Sequence, residues 1–333
     1  ETLIQMMFVE YKGVSFYREA SFSLFQLGPA VADALLKTMR GENKKVTQYF
    51  EAKGGLMDTA VKAKCGFVLG DLRDPRAVKP LMEAFQEAAK KQFEDAAARI
   101  LMTYASAPLG VLGDKAAVNI LAKQMLILDA SVRDPIMRAV VQLGDRSVVP
   151  LMIEGMTRTH FIKACVEAGA GQSLCEEDEA SYIHAAKAAT DHASNLAGGE
   201  HLGAYEAVIK DLKVAAIKDY MTKRLARVKA AAECKSSADC WVKKLKDKDP
   251  LVREKAAWEL SWLKDKKTIP ALAEALGDKD TYARSAAISA YWVYGDKSAV
   301  PAIESRLEDE AGSATYIKVN EDLKRLLVHL SRQ

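Results

Sequence analysis

Apolar residues in the last third of the chain recur with the spacing of one face of an α-helix, in two stripes separated by a polar stretch. The first stripe comprises Val252, Ala256, Trp258, Leu260 and Leu263, and the second comprises Ile269, Leu272 and Leu276. Asp249 precedes the first stripe, where its carboxylate can accept hydrogen bonds from the free N–H groups of a helix N-terminus. Neither predicted helix is apolar on all sides, so each needs neighbouring helices to bury its stripe.

The same pair of helices recurs further along the chain at a constant offset. Asp249-Pro-Leu-Val-Arg253 returns as Asp280-Thr-Tyr-Ala-Arg284 (280 − 249 = 31), and Asp265 returns as Asp296 (296 − 265 = 31). Related repeats open at Asp58, Asp95 and Asp129. A period of this length is typical of an array of helical repeats.

The repeat that opens at Asp95 is longer than the last two. The numbering difference between Arg99 and Asp114 is 15 (114 − 99), whereas that between Arg253 and Asp265 is 12 (265 − 253). We assign the extra length to a turn at Ser106-Ala-Pro108.

The Asp-x-x-Val/Ala-Arg openings and the Leu-Gly-Asp turns, such as Leu143-Gly144-Asp145, resemble those of the HEAT-repeat family, in particular its short bacterial PBS-lyase-like repeats. The resemblance implies an all-α, right-handed solenoid of antiparallel helix pairs. It also implies that the repeated Arg and Asp side chains form a structural ladder between neighbouring turns. The ladder residues would be Arg133, Asp145, Arg253, Asp265, Arg284 and Asp296. A fold of this kind does not specify a function.

The repeat pattern predicts five regions. They are N-terminal degenerate or capping helices (1–53), repeats (54–157), a divergent helical segment (158–233), further repeats (234–310) and a C-terminal capping helix (311–333). Within the divergent segment, Glu179 to Leu196 reads as one helix and Ala204 to Ala232 reads as one long helix. The segment is either an insertion with a role of its own or a set of decayed repeats.

Charges of both signs are interspersed along the chain. Charged residues make up 28% of the 333 residues, yet the net charge is only +3, which is typical of a solvated surface and argues against a dedicated polyanion binder. No apolar run approaches the roughly 18 residues of a membrane span. The chain begins at Glu1 rather than Met, so the lack of a recognisable signal peptide decides nothing about its location.

Four of the five cysteines form two local pairs, Cys165 with Cys175 and Cys234 with Cys240. Cys234 takes the place that Asp265 holds one repeat later (265 − 234 = 31), so a disulfide would staple a turn that Asp stabilises elsewhere, contributing about 2–3 kcal/mol. Cys65 lies on an apolar helix face and is predicted to be a buried thiol. Two disulfides predict a periplasmic, envelope-associated or secreted protein, and five free thiols in a cytoplasmic protein are the alternative.

The histidines give no metal-binding pattern. His184, His192 and His201 crowd the divergent segment, but their spacing is not that of ligands converging from one helix face. The chain also lacks the His-Glu dipeptides that a resemblance to deoxyhypusine hydroxylase-like HEAT proteins would require for iron. We therefore predict no metal, no cofactor and no catalytic residue.

Two further features leave alternatives open. Residues 210–248 hold twelve Lys and Arg against five acidic residues, a net charge of +7 (12 − 5), which could meet phosphate or could be an ordinary solvated helix face. The last two repeats hold large aromatic residues that could anchor a partner or form core. These are Trp258, Trp262, Tyr282, Tyr291, Trp292 and Tyr294.

We predict a non-catalytic protein–protein interaction scaffold, in which the second helices of successive repeats line the surface that holds a protein partner. The predicted partner-binding residues are Lys79, Glu83, Lys123, Glu154, Glu274, Glu304 and Arg306. One alternative is a nucleic-acid-binding or processing protein that uses residues 210–248. Another is a structural subunit of a larger cell-envelope assembly.

Overall fold

The structure is a computed structural model that describes residues 1–53, 57–127, 129–309 and 317–332. The chain divides into two compact units: unit 1 comprises residues 1–145 and 158–185, and unit 2 comprises residues 146–157 and 186–333.

Unit 1 contains two short strands and most of the first thirteen helices. In chain order these elements are α1 (Thr2–Met6), β1 (Glu10–Tyr11), β2 (Val14–Ser15), α2 (Tyr17–Leu27), α3 (Ala32–Met39), α4 (Lys44–Lys53), α5 (Met57–Asp71), α6 (Val78–Lys90), α7 (Ala96–Leu112), α8 (Val118–Ala122) and α9 (Ala130–Leu143). After α10 (Val149–Glu154), which belongs to unit 2, follow α11 (Arg158–Glu167), α12 (Gln172–Glu177) and α13 (Glu179–Leu196), whose last residues belong to unit 2.

Unit 2 contains the remaining helices. They are α14 (Leu202–Asp211), α15 (Ala215–Cys234), α16 (Ala238–Lys244), α17 (Pro250–Leu263), α18 (Ile269–Ala275), α19 (Thr281–Tyr294), α20 (Val300–Asp309) and α21 (Ile317–Ser331). Short 3₁₀ turns lie at Gly28–Val31, Pro75–Ala77, Lys115–Ala117, Arg146–Val148, Gly199–His201, Lys266–Thr268 and Lys297–Ala299.

Helix pairs stack within each unit. In unit 1, α5 packs against α7 and α7 against α9, while α6 packs on α7 and α8 on α9. In unit 2, α17 packs against α19, with α16 on α17 and α18 on α19. Buried alanines such as Ala256 and Ala287 lie in the first helices, and buried Leu272 lies in a second helix. The predicted all-α solenoid fold, with repeats that bury one another's apolar stripes, is confirmed.

The repeated aspartates cap the first helices. Asp95, Asp129, Asp249 and Asp280 each accept a hydrogen bond from the backbone N–H two residues ahead, at 2.8–3.0 Å. Such a cap satisfies one of the N–H groups that the first helical turn leaves without a partner. Asp58 does not take this position, because α5 begins one residue earlier, at Met57. The Asp58 carboxylate instead pairs with Lys62 Nζ at 2.7 Å.

Two local predictions were wrong. The chain does not turn at Ser106-Ala-Pro108, because α7 continues through Pro108 to Leu112, so the extra residues lengthen the helix. The predicted helix 204–232 is broken after Asp211, and the resulting α14 and α15 pack against each other.

The N-terminal region contains a hairpin beside its helices. Strands β1 and β2 pair around Lys12-Gly13, both at positive φ, as a tight two-residue turn requires.

Candidate functional site

The residues predicted to bind a partner lie on or beside the second helices. Lys79 and Glu83 are on α6, Lys123 follows α8, Glu154 ends α10, Glu274 is on α18 and Glu304 is on α20. All six side chains are exposed, while neighbours such as Leu272 and Ile303 are buried. Arg306 lies in α20, but its side chain is outside the described part of the structure.

These exposed faces carry both signs of charge. In unit 1, Lys79 Nζ lies 3.9 Å from Glu83 Oε1 along one face of α6. In unit 2, Lys246 Nζ lies 2.8 Å from Glu274 Oε2. Exposed pairs of this kind contribute little to stability, so these side chains are available to a partner at small cost.

Arg253 ties one repeat to the next. Its buried guanidinium donates from Nε and Nη2 to the Asp278 carboxylate at 2.6 and 2.9 Å, and from Nη1 to the Asp247 carbonyl at 3.0 Å. Asp278 lies in the loop before α19. Burial alone would raise the pKa of Asp278, yet the hydrogen bonds from Arg253 and from the Asp280 N–H lower it below its ordinary value.

The other ladder residues divide into two kinds. Asp265 and Asp296 cap the 3₁₀ turns that follow them, by accepting from Lys267 N at 3.0 Å and Ser298 N at 2.9 Å. Asp145 immediately precedes the turn Arg146–Val148. Arg284 is buried like Arg253 and donates to the Asp278 carbonyl at 2.5 Å.

Arg133, the remaining ladder residue, is buried and contacts two side chains of unit 1. Its Nε donates to Asp134 Oδ1 at 3.0 Å, and its Nη2 lies 3.0 Å from His184 Nδ1. His184, one of the three histidines of the divergent segment, therefore lies against α9, the first helix of a repeat.

Both cysteine pairs are bonded in the structure, Cys165 to Cys175 and Cys234 to Cys240. The second bond joins the end of α15 to the start of α16, where Ser237 supplies the helix cap. Cys65 is a free, buried thiol, and its burial raises its pKa.

A buried network of charged side chains links α13, α15 and α17 within unit 2. The Lys255 side chain is 0% exposed, and its Nζ donates to the carbonyls of Asn195 and Ala197 at 2.5 and 2.8 Å. Those carbonyls end α13, so the ammonium caps the negative end of that helix. Nζ also lies 2.7 Å from Glu259 Oε1, which Arg146 approaches at 2.5 Å.

The network continues towards α15. Arg227 is buried and donates to the Glu254 carboxylate and, at 3.0 Å, to Ser194 Oγ. Glu254 also accepts from Asn195 Nδ2 at 2.9 Å. Arg224 pairs with Asp191 at the edge of the network.

Burial sets the protonation of the central lysine. It lowers the pKa of Lys255 to about 8, although the attraction of Glu259 opposes the shift. Because the group faces protein on every side, it has no access to a substrate, and its contacts are those of a structural cap.

This network was not predicted from the sequence. Lys255 and Glu259 are an i, i+4 pair on one helix, a pattern that ordinarily marks a solvated ion pair. The residues that bury them, at 191–197, come much earlier in the chain. One signal was present: Lys255 and Glu259 correspond to Ala286 and Ala290 one repeat later (286 − 255 = 31), which are buried.

The basic stretch 210–248 is partly neutralised. Arg224, Arg227, Lys244 and Lys246 all form ion pairs with acidic side chains. Several of the other lysines, including Lys218, Lys223 and Lys229, are exposed on α15, where Asp219 and Glu233 interrupt them. Nucleic-acid binding through this stretch stays an untested alternative to the predicted protein partner.

The aromatic residues of the last repeats are of two kinds. Trp258 and Tyr291 are buried, and the rings of Trp258 and Trp262 stack with centroids 6.0 Å apart. Tyr282 is exposed at the start of α19.

Within the described ranges, no group of three or more His, Cys, Asp and Glu side chains could hold a metal ion, and no helix has the length and hydropathy to cross a membrane.

Comparison with protein families matches two descriptions to this chain. The model of "HEAT repeats" matches residues 218–292 and 238–315, and that of "PBS lyase HEAT-like repeat" matches residues 61–87. The chain contains HEAT repeats. The predicted family is therefore confirmed. No relative is found among curated protein sequences.

Two solved structures resemble this chain only distantly. One is the complex of CpcE and CpcF of phycocyanin lyase from Nostoc sp. PCC7120, with 18% identity, a TM-score of 0.37 and coverage of 81% of this chain and 90% of that chain. Another is human deoxyhypusine hydroxylase in complex with glycerol, with 16% identity, a TM-score of 0.31 and coverage of 100% and 96%. Similarities at this level carry no argument about this chain's activity.

Proposed function

We propose that this HEAT-repeat chain is a scaffold that holds a protein partner on the exposed, mixed-charge faces of its second helices. One observation carries the proposal: six predicted contact residues are exposed on these helices, while the apolar positions between them are buried. The helices are therefore fixed by their apolar sides and present a firm polar surface. That no catalytic residue takes part stays a prediction.

The surface can be tested by reversing charge. Glu274→Lys combined with Glu304→Lys is expected to weaken partner capture at unchanged melting temperature, since both side chains are exposed. The matched control is Glu206→Lys with Asp219→Lys, two exposed acids of α14 and α15. Photo-crosslinking amino acids placed at positions 83 and 274 identify the partner, and its affinity for each variant is then measured.

The outcomes separate cleanly. Loss of affinity in the Glu274/Glu304 variant and not in the control supports the second-helix surface. Equal affinity in both variants, or loss in both, contradicts it. A lower melting temperature in the Glu274/Glu304 variant would show that these residues support the fold instead of binding a partner.

We further propose that the chain works in an oxidising compartment such as the periplasm, the cell envelope or the extracellular space. The two bonded cysteine pairs support this, because disulfides persist mainly in such compartments. Protein isolated without reductant, denatured and alkylated should expose one reactive thiol, that of Cys65. Five reactive thiols would place the chain in a reducing compartment.

A further inference from the structure

The turn from α15 to α16 in unit 2 is held differently from its counterparts in other repeats. In four repeats an aspartate caps the 3₁₀ turn that leads into the second helix, and its carboxylate accepts from a backbone N–H at 2.9–3.0 Å. These aspartates are Asp74, Asp114, Asp265 and Asp296. A hydrogen bond to a carboxylate is stronger than one between neutral groups, so each of these turns has a strong cap.

In the turn from α15 to α16 a disulfide replaces the aspartate. Cys234 stands at the position of Asp265 (265 − 234 = 31), and Cys240 at that of Ala271 (271 − 240 = 31). The cap of α16 is the neutral Ser237, whose Oγ accepts from Cys240 N at the longer distance of 3.3 Å. This turn therefore depends on a covalent bond where the others depend on a charged cap.

The backbone of the same turn has an unfavourable conformation. Lys235, directly after α15, has φ 48° and ψ −122°, a combination that favours glycine. Trp241 Nε1 donates to the Lys235 carbonyl at 2.9 Å. Ser237 N donates to the Cys234 carbonyl, also at 2.9 Å. Because Lys235 lies between the two bonded cysteines, opening the bond removes a restraint that keeps it in this conformation, and the turn should relax.

The two disulfides of the chain differ in access. Cys165 and Cys175 are 7% and 0% exposed, so both ends of their bond are buried. Cys234 is 2% exposed, but its partner Cys240 is half-buried. Thiol–disulfide exchange begins when a thiolate reaches one of the two sulfur atoms, so the pair with one partly open side should react first.

The α11–α12 hairpin also has ties besides its disulfide. Arg158 of α11 donates to the Asp178 carbonyl at 3.1 Å and to the Glu176 carbonyl, both at the end of α12. The ring of Phe161 packs on that of Tyr182, with centroids 5.6 Å apart. The hairpin is therefore the natural control for the α15–α16 turn.

We propose that the Cys234–Cys240 bond is a redox switch, which fixes the α15–α16 turn when closed and releases it when a dithiol reduces it. One thiolate of the dithiol attacks Cys240 Sγ, and Cys234 leaves as a thiolate. The second sulfur of the dithiol then displaces Cys240 Sγ from the mixed disulfide. The chain gains two electrons and two protons, which the dithiol loses as it becomes a disulfide.

The release should be confined to one end of α16. Trp241 and Leu245 are buried, so the helix stays packed on α17. The switch goes beyond the proposed partner surface and can be tested without a partner, on the purified chain.

The first test follows the order in which the two bonds open. The oxidised full chain is treated with dithiothreitol, samples are quenched with acid, denatured and alkylated, and the modified peptides are quantified by mass spectrometry. Cys234 and Cys240 should become reduced at least about tenfold faster than Cys165 and Cys175, because access to sulfur governs the rate. Equal rates, or earlier reduction of the α11–α12 pair, would overturn the proposal.

Hydrogen exchange shows whether opening the bond releases the turn. After reduction of the Cys234–Cys240 bond, the backbone amides of residues 236–241 should exchange at least about tenfold faster, since exchange reports local opening. The amides of residues 266–268, in an Asp-capped turn, should not change. Unchanged exchange at 236–241 would make the bond a reducible staple with no switching effect, which overturns the proposal.

Three double variants separate the bond from the cysteines themselves. Cys234→Ser with Cys240→Ser should exchange fast at 236–241 with or without reductant. Cys234→Asp with Cys240→Ala restores the residues of the next repeat and should exchange slowly whether or not reductant is present. Cys165→Ser with Cys175→Ser is the matched control and should keep the wild-type response.

Unchanged far-ultraviolet circular dichroism establishes that the variants are folded. Slow exchange in the serine variant would show that the turn is fixed without the bond. Fast exchange in the aspartate variant would show that the bond does not stand in for a cap. Either result overturns the proposal.

Discussion

The helices α17 and α19 hold the same place in successive repeats, yet α17 buries charged side chains at positions where α19 has small, uncharged residues. Where α17 has Glu254, Lys255 and Glu259, the equivalent positions of α19 are Ser285, Ala286 and Ala290 (285 − 254 = 31). The three residues of α17 are buried ions. On α19, Ala286 and Ala290 are buried as well but are apolar, whereas Ser285 is exposed and Tyr282 is 72% exposed.

What the two helices share comes from the repeat. Asp249 and Asp280 both cap their helices, and Arg253 and Arg284 are both buried against the loops that precede them. What distinguishes them comes from the neighbours of α17, because α13 and α15 supply the groups that surround its charges. The residues that recur in each repeat therefore determine the helix caps and the stacking of helices. The charged residues of α17 are specific to that helix, because they contact the divergent segment.

Burying charged side chains carries a large desolvation penalty. A buried ion pair often contributes no more than well-packed apolar residues would, although removing one partner is costly. Such a pair does, however, define one docking geometry, since each charge must find its counterpart. We infer that the part of the divergent segment that supplies these groups is attached to α17 in a defined position.

The largest effect on stability is expected from breaking the buried ion pair between Arg227 of α15 and Glu254 of α17. Glu254→Ala removes the nearer of two carboxylates from the buried Arg227 and leaves it only Asp191 Oδ1 at 3.5 Å, so it should lower the free energy of unfolding by about 3–5 kcal/mol. Ser285→Ala, at the equivalent site of α19, should change it by less than about 0.5 kcal/mol. Denaturant unfolding monitored by circular dichroism measures both.

The double variant Arg227→Met with Glu254→Leu sharpens this result. If the pair sets position more than stability, the apolar replacement should recover most of what Glu254→Ala loses. A double variant as unstable as the single one would mean that the ions themselves stabilise the unit.

The next effect is a dependence of stability on pH that only α17 can produce. The pKa of Lys255 is about 8 in the folded chain, whereas the ordinary value of 10.5 applies when it unfolds. Between these values the unfolded chain binds more protons, so the free energy of unfolding rises with pH. The cost of burying the charged lysine is fully present below pH 8 and is relieved above it, by up to about 3 kcal/mol.

Lys255→Met removes this titration. The wild-type value minus the variant value should therefore increase between pH 8 and pH 10, as measured by urea unfolding at each pH. A difference that stays constant across this range would mean that Lys255 keeps its proton in the fold. The variant retains the Arg146–Glu259 pair, so Glu259 is not left alone.

The comparison also shows how far the sequence determines the fold. The caps, the bounds of α13 and the stacking of repeats follow from residues close in sequence, and they could be predicted. Lys255 and Glu259 could not, because their burial depends on a segment far away in the chain. The break at 212–214 was not predicted because residues on both sides of it are helical, and only the packing of α14 against α15 distinguishes two helices from one.

The smallest effect on stability is expected from the aspartates that lie in the loops between α17 and α19. Asp278 accepts two hydrogen bonds from the buried Arg253 and one from Asp280 N, whereas Asp265 accepts from Lys267 N in an exposed turn. Asp278→Ala should therefore cost about 2–3 kcal/mol, and Asp265→Ala about 1 kcal/mol. Denaturant unfolding of both variants ranks them. Equal losses would mean that Asp278 acts only as a cap, and that Arg253 is held by the carbonyls of its own loop. The predicted order would instead identify Asp278 as the acidic residue through which one repeat is joined to the next.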